Sequence, residues 1–265
     1  MPATKQKIAY KLTISYHGAS FAGWQRQKEA VTVQSLIEAA LEKLWKEPLH
    51  VEASGRTDTG VHAIGQVASV KATKKFEAEP LLRALNANLP PQIRITQVQL
   101  KPASFHARFD ARAKTYEYLV WNGKVLPPFL LGQALHYTWP LDLPRTREAL
   151  DLFKGNHDFA SFTSNPGYER ANTVREIFDF KVQKKAELLR FHVTSNGFLY
   201  RMVRNLIGST LHVGDGRLSL QKLKSILESC DRSQAPASVP GHGLYLKKVH
   251  YGSPYPKKLF EGEFH

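Results

Sequence analysis

Tyr10, Leu12 and Ile14 alternate with Lys11, Thr13 and Ser15, a period of two, and residues 7–16 (KIAYKLTISY) are expected to form a half-buried strand. The period then changes. Val33, Leu36, Ile37, Ala40, Leu41 and Leu44 recur at three and four residues, which predicts a helix over 32–46 with one apolar stripe. Two short strand patterns at 49–54 and 64–71 flank the loop SGRTDTG, a helix is expected over 77–88 from Glu79-Pro80, and a strand over 93–100. The first part of the chain therefore reads βαββαβ.

The second part repeats that order with longer insertions. Residues 115–121 (TYEYLVW) predict a strand, 145–154 a helix, and 173–184 with 187–195 a hairpin. A helix is expected to start near Phe198, with Leu199, Met202, Val203, Leu206 and Ile207 on one face, followed by a short helix over 219–228 and a strand over 243–249. Pro127-Pro128 and 163–172 (TSNPGYERAN) read as loop insertions. The expected class is α+β, with two tandem ferredoxin-like (βαββαβ) halves whose mainly antiparallel sheets join around a central cleft. Residues 1–106 would be the half carrying the Asp58 loop, and 107–265 the half carrying the tyrosine strand and the arginine helix. The duplication rests on element order, because no residue-by-residue repeat accompanies it.

Composition narrows the function classes. Of the 265 residues 42% are apolar and 23% charged, and no apolar run is long enough to cross a bilayer. The first residues lack the apolar core of a secretory signal, and the single Cys230 excludes an internal disulfide framework or a Cys-rich zinc site, so a reducing, cytoplasmic home is expected. Lys and Arg number 37 against 23 Asp and Glu, a net +14 spread along the chain, which makes nucleic acid the expected partner.

The candidate chemistry centres on Asp58. On its own, Asp58-Thr59-Gly60 is sufficient as turn chemistry. It also matches the short signature of aspartic proteases, but only one copy is present, and Gly55-Arg56-Thr57 replaces the apolar lead-in of those enzymes. Arg201 and Arg204 are three apart on the expected helix and so are read as surface neighbours. Tyr116 and Tyr118 share one strand face, with Glu117 on the other, and the pattern does not choose which ring packs and which is free to stack on a base. The eleven histidines include no His-x-x-x-His on a helix, and Gly214-Asp215-Gly216 reads as a helix-ending turn. No metal or nucleotide cofactor is expected.

Seven segments in order resemble the TruA family of tRNA pseudouridine synthases: YHGASFAGWQRQ at 16–27, VQSLIEAAL at 33–41, ASGRTDTGVHAIGQ at 53–66, FHARFDARAKTYEYLVWN at 105–122, GNHDFASF at 155–162, FLYRMVRNLIG at 198–208 and GLYLKKVHY at 243–251. The resemblance implies the pseudouridine synthase fold, an isomerase without cofactor, and a homodimer in which both subunits contact each tRNA. It implies uridines 38, 39 and 40 of the anticodon stem-loop as targets. It also implies Asp58 as the catalytic nucleophile, Arg56 as the residue that helps extrude and replace the base, and Tyr116 as the ring stacked on uracil and a candidate general base. Arg204 would be the ion-pair partner of Asp58, and Leu246 an apolar residue lining the pocket. The chain departs from a common family form at Arg201, often His, and in the 163–172 insertion, and both differences bear on tRNA contacts. The alternative from another class is a non-catalytic tRNA-binding protein or RNA chaperone of the same fold. The presence of Asp58, Arg56, Tyr116 and Arg204 together speaks against it.

Overall fold

A computed structural model describes residues 7–164 and 172–252. The described strands form one mixed, mostly antiparallel sheet. Its first edge is built from β1 (Ile8–Tyr16), β2 (Val51–Ala53), β3 (His62–Ala72) and β4 (Ile93–Lys101), and the rest from β5 (Ala111–Trp121), β6 (Leu135–His136), β7 (Gly155–Asp158), β8 (Val174–Lys185), β9 (Leu188–Ser195) and β10 (Leu244–Tyr251). The order is β4-β1-β3-β10-β5-β9-β8-β7, with β2 added on β3 and β6 on β5. The last strand therefore joins the two parts of the sheet. β10 runs parallel to β3, with Tyr245 opposite His62 and Leu246 opposite Ala63, and antiparallel to β5, with Leu246 opposite Tyr116.

Helices cover the apolar face. In α1 (Val33–Trp45), Val33, Ile37, Ala40 and Leu41 are buried, as the three-four spacing requires, and Thr32 and Ser35 close a reciprocal cap at its start. The helix ends where Lys46 turns left-handed at φ 60°. α2 (Ala78–Asn88) packs on β4 and α1, and α3 (Leu143–Leu152) packs on α4 (Met202–Gly214), α5 (Leu220–Ser229) and β8. The core runs without a break from Leu12, Ile37 and Leu85 on one side to Tyr118, Phe191, Leu206 and Phe153 on the other.

Three expectations need correction. The helix expected from Phe198 starts at Met202, because Arg201 sits in the left-handed region at φ 57° and the helical path cannot pass through it. Arg201 therefore occupies the N-cap position of α4, with no side-chain capping bond, and is not part of its first turn. The tyrosine strand begins at Ala111 instead of 115, and the short strands β6 and β7 lie in stretches to which the sequence pattern gives no element. Of the insertion at 163–172, residues 165–171 lie outside the described residues. Among the described residues no helix is long and apolar enough to cross a membrane.

Candidate active site

The β2–β3 loop, β5 and the segment entering α4 surround a cleft of about 1340 Å3. That exceeds the roughly 300–1,000 Å3 usual for small-molecule sites, so the opening suits a larger substrate. Asp58, Arg56, Tyr116 and Arg204 all line it, although they come from chain positions as far apart as 56 and 204.

The loop carrying Asp58 is clamped from several sides. Gly60 at φ +77° and the Val61 N–H donating to the Asp58 carbonyl at 3.1 Å make the turn. Beneath it, Gly23 has φ +86°, and a Cβ there would stand 2.7 Å from the Thr57 oxygen, which accepts from the Trp24 N–H at 3.0 Å. A Cβ at Gly241 would likewise meet the Thr59 oxygen at 2.7 Å. Two backbones thus approach the loop where only glycine leaves room. Tyr16, buried in β1, shares a 2.7 Å hydrogen bond with the Thr57 hydroxyl, and Gln66 accepts from the Ser54 hydroxyl while donating to the Gly55 carbonyl. Asp58 has little freedom to move.

Arg204 reaches the loop from α4. Its Nη1 donates to Asp58 Oδ2 at 3.0 Å, and its Nε donates to the Val239 carbonyl at 2.7 Å. The side chains are only 12% and 22% exposed, so the pair is partly shielded from water. Next to it in α4, Asn205 donates to the Phe162 carbonyl and accepts from Arg232, which fixes the helix start.

The two tyrosines have different surroundings. Tyr118 is fully buried and donates to the Pro240 carbonyl at 2.8 Å. Tyr116 lines the cleft and meets Phe198 edge to face at 5.0 Å. Burial first, then the charges of Tyr16 and Asp58, pushes the Tyr116 hydroxyl well above the ordinary phenol range. It is a neutral phenol in the resting protein.

Arg56 is exposed on the cleft wall and makes no hydrogen bond or ion pair with any other described residue. Arg201 is also exposed there, its guanidinium over the Tyr200 ring at 5.1 Å. Leu246 is fully buried opposite Tyr116, whereas Leu244, two residues earlier in β10, is the strand residue that borders the opening.

Sequence reasoning missed several supports. His62 accepts from the Gly18 N–H at Nδ1, so its Nε2 carries the proton and faces the Gly132 and His242 carbonyls at 3.0 and 3.1 Å. Burial lowers its pKa, which keeps the ring neutral, and it stacks on Tyr245 at 4.6 Å. A lone histidine in a strand pattern carries no signal for that role. The sequence pattern likewise gives no sign that Gly23 and Gly241 let backbone approach the Asp58 loop. Among the described residues no group of three or more His, Cys, Asp or Glu is placed to hold a metal.

Residues 12–110 and 149–252 match the family model described as tRNA pseudouridine synthase. The chain is 50% identical over 244 residues to the tRNA pseudouridine synthase A of Methylacidiphilum infernorum, covering 92% of this chain and 96% of that protein. It is 40% identical over 247 residues to the protein of that name from Streptococcus thermophilus, covering 92% and 99%. With the one from Caldicellulosiruptor saccharolyticus it shares 40% over 240 residues, covering 91% and 98%.

Proposed function

This chain belongs to the tRNA pseudouridine synthase family, and on that premise we propose that it isomerises uridine to pseudouridine in the anticodon stem-loop of tRNA, at positions 38, 39 and 40. The observation that carries the reading is the Asp58–Arg204 pair at 3.0 Å, set beside Tyr116 in one cleft. In the reaction the bond from ribose C1′ to uracil N1 breaks, the base turns while held, and C1′ bonds to C5. The C5 proton is lost and N1 gains one, so nothing is consumed. Asp58 acts as nucleophile on this reading, and Arg204 fixes the direction in which its carboxylate points.

The arrangement suits isomerisation more than hydrolysis. Glycoside hydrolases use two carboxylates to protonate a leaving group and activate water. Among the described residues the other carboxylate lining the cleft, Glu52, is paired with His106 at 2.7 Å. Leu199, Met202, Val203 and Leu244 border the opening and limit water around a detached base. Tyr116 stacks on the uracil, and Arg56 fills the gap left when the base leaves its helix, a step that costs a few kcal/mol. Leu246, buried beside Tyr116 on the neighbouring strand, backs that side of the pocket. We place the enzyme in the cytoplasm as a homodimer needing no cofactor, with residues 1–106 and 107–265 as its two halves.

The test is chemical mapping of pseudouridine in a tRNA transcript incubated with the protein alone. Modification confined to positions 38–40 is expected. Modification elsewhere would overturn the site assignment, and tight binding without modification would leave a non-catalytic tRNA-binding protein.

A further inference from the structure

Lys114 is a cleft residue that the reaction described above does not use. It stands two residues before Tyr116 on the same face of β5, about 7 Å along the strand. Its amine lies against the loop of Asp58: a Cβ at Gly55 would be 2.9 Å from Nζ, so the absence of a side chain at 55 makes its berth. Arg108 and Arg175 also line this end of the cleft, and burial together with these two cations lowers the Lys114 pKa to about 8. Arg175 is held by the Asn172 and Val174 carbonyls, and the nearby carboxylate of Glu52 is engaged by His106. Among the described residues Lys114 forms no hydrogen bond or ion pair. Among the described residues no carboxylate is paired with Lys114 or Arg108, so the Lys114 amine sits among like charges until an anion arrives.

We propose that Lys114, flanked by Arg108 and Arg175, is a phosphate subsite that holds the RNA backbone next to the uridine stacked on Tyr116. The proposal rests on the reading of the cleft as the tRNA site. The distance from Lys114 to Tyr116 is about the reach of one sugar-phosphate unit, so a nucleotide whose base lies on Tyr116 directs a neighbouring phosphate toward Nζ. A phosphate there restores charge balance and favours the protonated amine. Lys114 is a positioning residue: it sets where C1′ falls relative to Asp58.

The test uses an anticodon stem-loop RNA in natural form and with single neutral methylphosphonate linkages flanking the target uridine. Equilibrium affinity and pseudouridine formation are measured for wild type, Lys114→Met and Lys114→Arg. Lys114→Met is expected to weaken binding of natural RNA by about 10-fold or more and to lower the salt slope of binding by about one. One neutral linkage should weaken wild type comparably yet add little to Lys114→Met. Lys114→Arg should restore affinity and remove a decline that wild type shows as pH rises through 8, because the lysine amine loses its charge there and arginine does not. Losses that multiply at every linkage, or no loss in Lys114→Met, would overturn the subsite. Wild type that binds natural RNA without forming pseudouridine would sink the enzymatic reading instead, and wild type that does not bind would sink both.

Discussion

Arg204 makes two directional contacts with one planar group, Nε to the Val239 carbonyl and Nη1 to Asp58. A lysine ammonium cannot span both partners in fixed geometry. Arg204→Lys should therefore keep the charge and still lose about 100-fold in kcat, the usual cost of a reacting group displaced by about 1 Å, with tRNA affinity nearly unchanged. Gly23→Ala should act in the same way from below, since the new Cβ would meet the Thr57 oxygen at 2.7 Å on a backbone at φ +86°. We expect about 1–3 kcal/mol of destabilisation, read by thermal unfolding, and a larger fractional loss of kcat. Tyr116→Phe keeps the ring and removes the oxygen. If the hydroxyl takes part in removing the C5 proton, C5–H cleavage slows by about 100-fold or more while binding persists; unchanged cleavage would restrict Tyr116 to stacking. Asp58 and Arg204 were legible because a charged residue inside a turn motif and another within an apolar helix pattern are conspicuous once the family segments align. The strand pattern alone did not choose between Tyr116 and Tyr118, since both point the same way; the resemblance pointed to Tyr116, and the physical difference is the Pro240 carbonyl that covers Tyr118.

At the scale of elements, the segment from 235 to 243 is a strap between α5 and β10 that touches both halves of the site. Arg204 holds it at Val239, Tyr118 at Pro240, and the backbone at Gly241 presses on the Asp58 loop. Tyr118→Phe removes one of these ties and leaves a carbonyl short of a donor, a loss of about 1 kcal/mol. Hydrogen exchange should rise within 235–243 and little elsewhere; uniform exchange across the sheet would show that Tyr118 supports the core instead of the strap. Long elements were readable from period alone, as the match of 32–46 to Val33–Trp45 illustrates. The misses have local causes. Strands of two and four residues carry too few side chains to show a period, and the left-handed turn at Arg201 depends on packing that sequence spacing does not report.

Across the whole molecule, the net charge of +14 sets how the enzyme meets its substrate. Affinity for tRNA should fall steeply and log-linearly with salt, because each neutralised phosphate releases counterions. The opposite face of the sheet gives a separate pH dependence. Burial, with Lys247, Lys181 and Arg190 around His192 and Lys248 beside His250, pushes both imidazoles down to about 4. Glu117 nearby is already flanked by Arg190 and Lys247, so His192 need not be charged to balance it. Each histidine then binds its proton more weakly folded than unfolded. Their stabilising contribution is complete above pH 6.5 and disappears as pH falls toward 4, so the melting temperature should drop across that interval, and His250→Gln should flatten the drop. The central claim, that Asp58 held by Arg204 isomerises uridine, is tested most directly by tritium release from C5-labelled uridine in an anticodon stem-loop RNA. The account predicts release by wild type without added metal or nucleotide and none by Asp58→Asn at equal RNA occupancy; equal release by both proteins would contradict it.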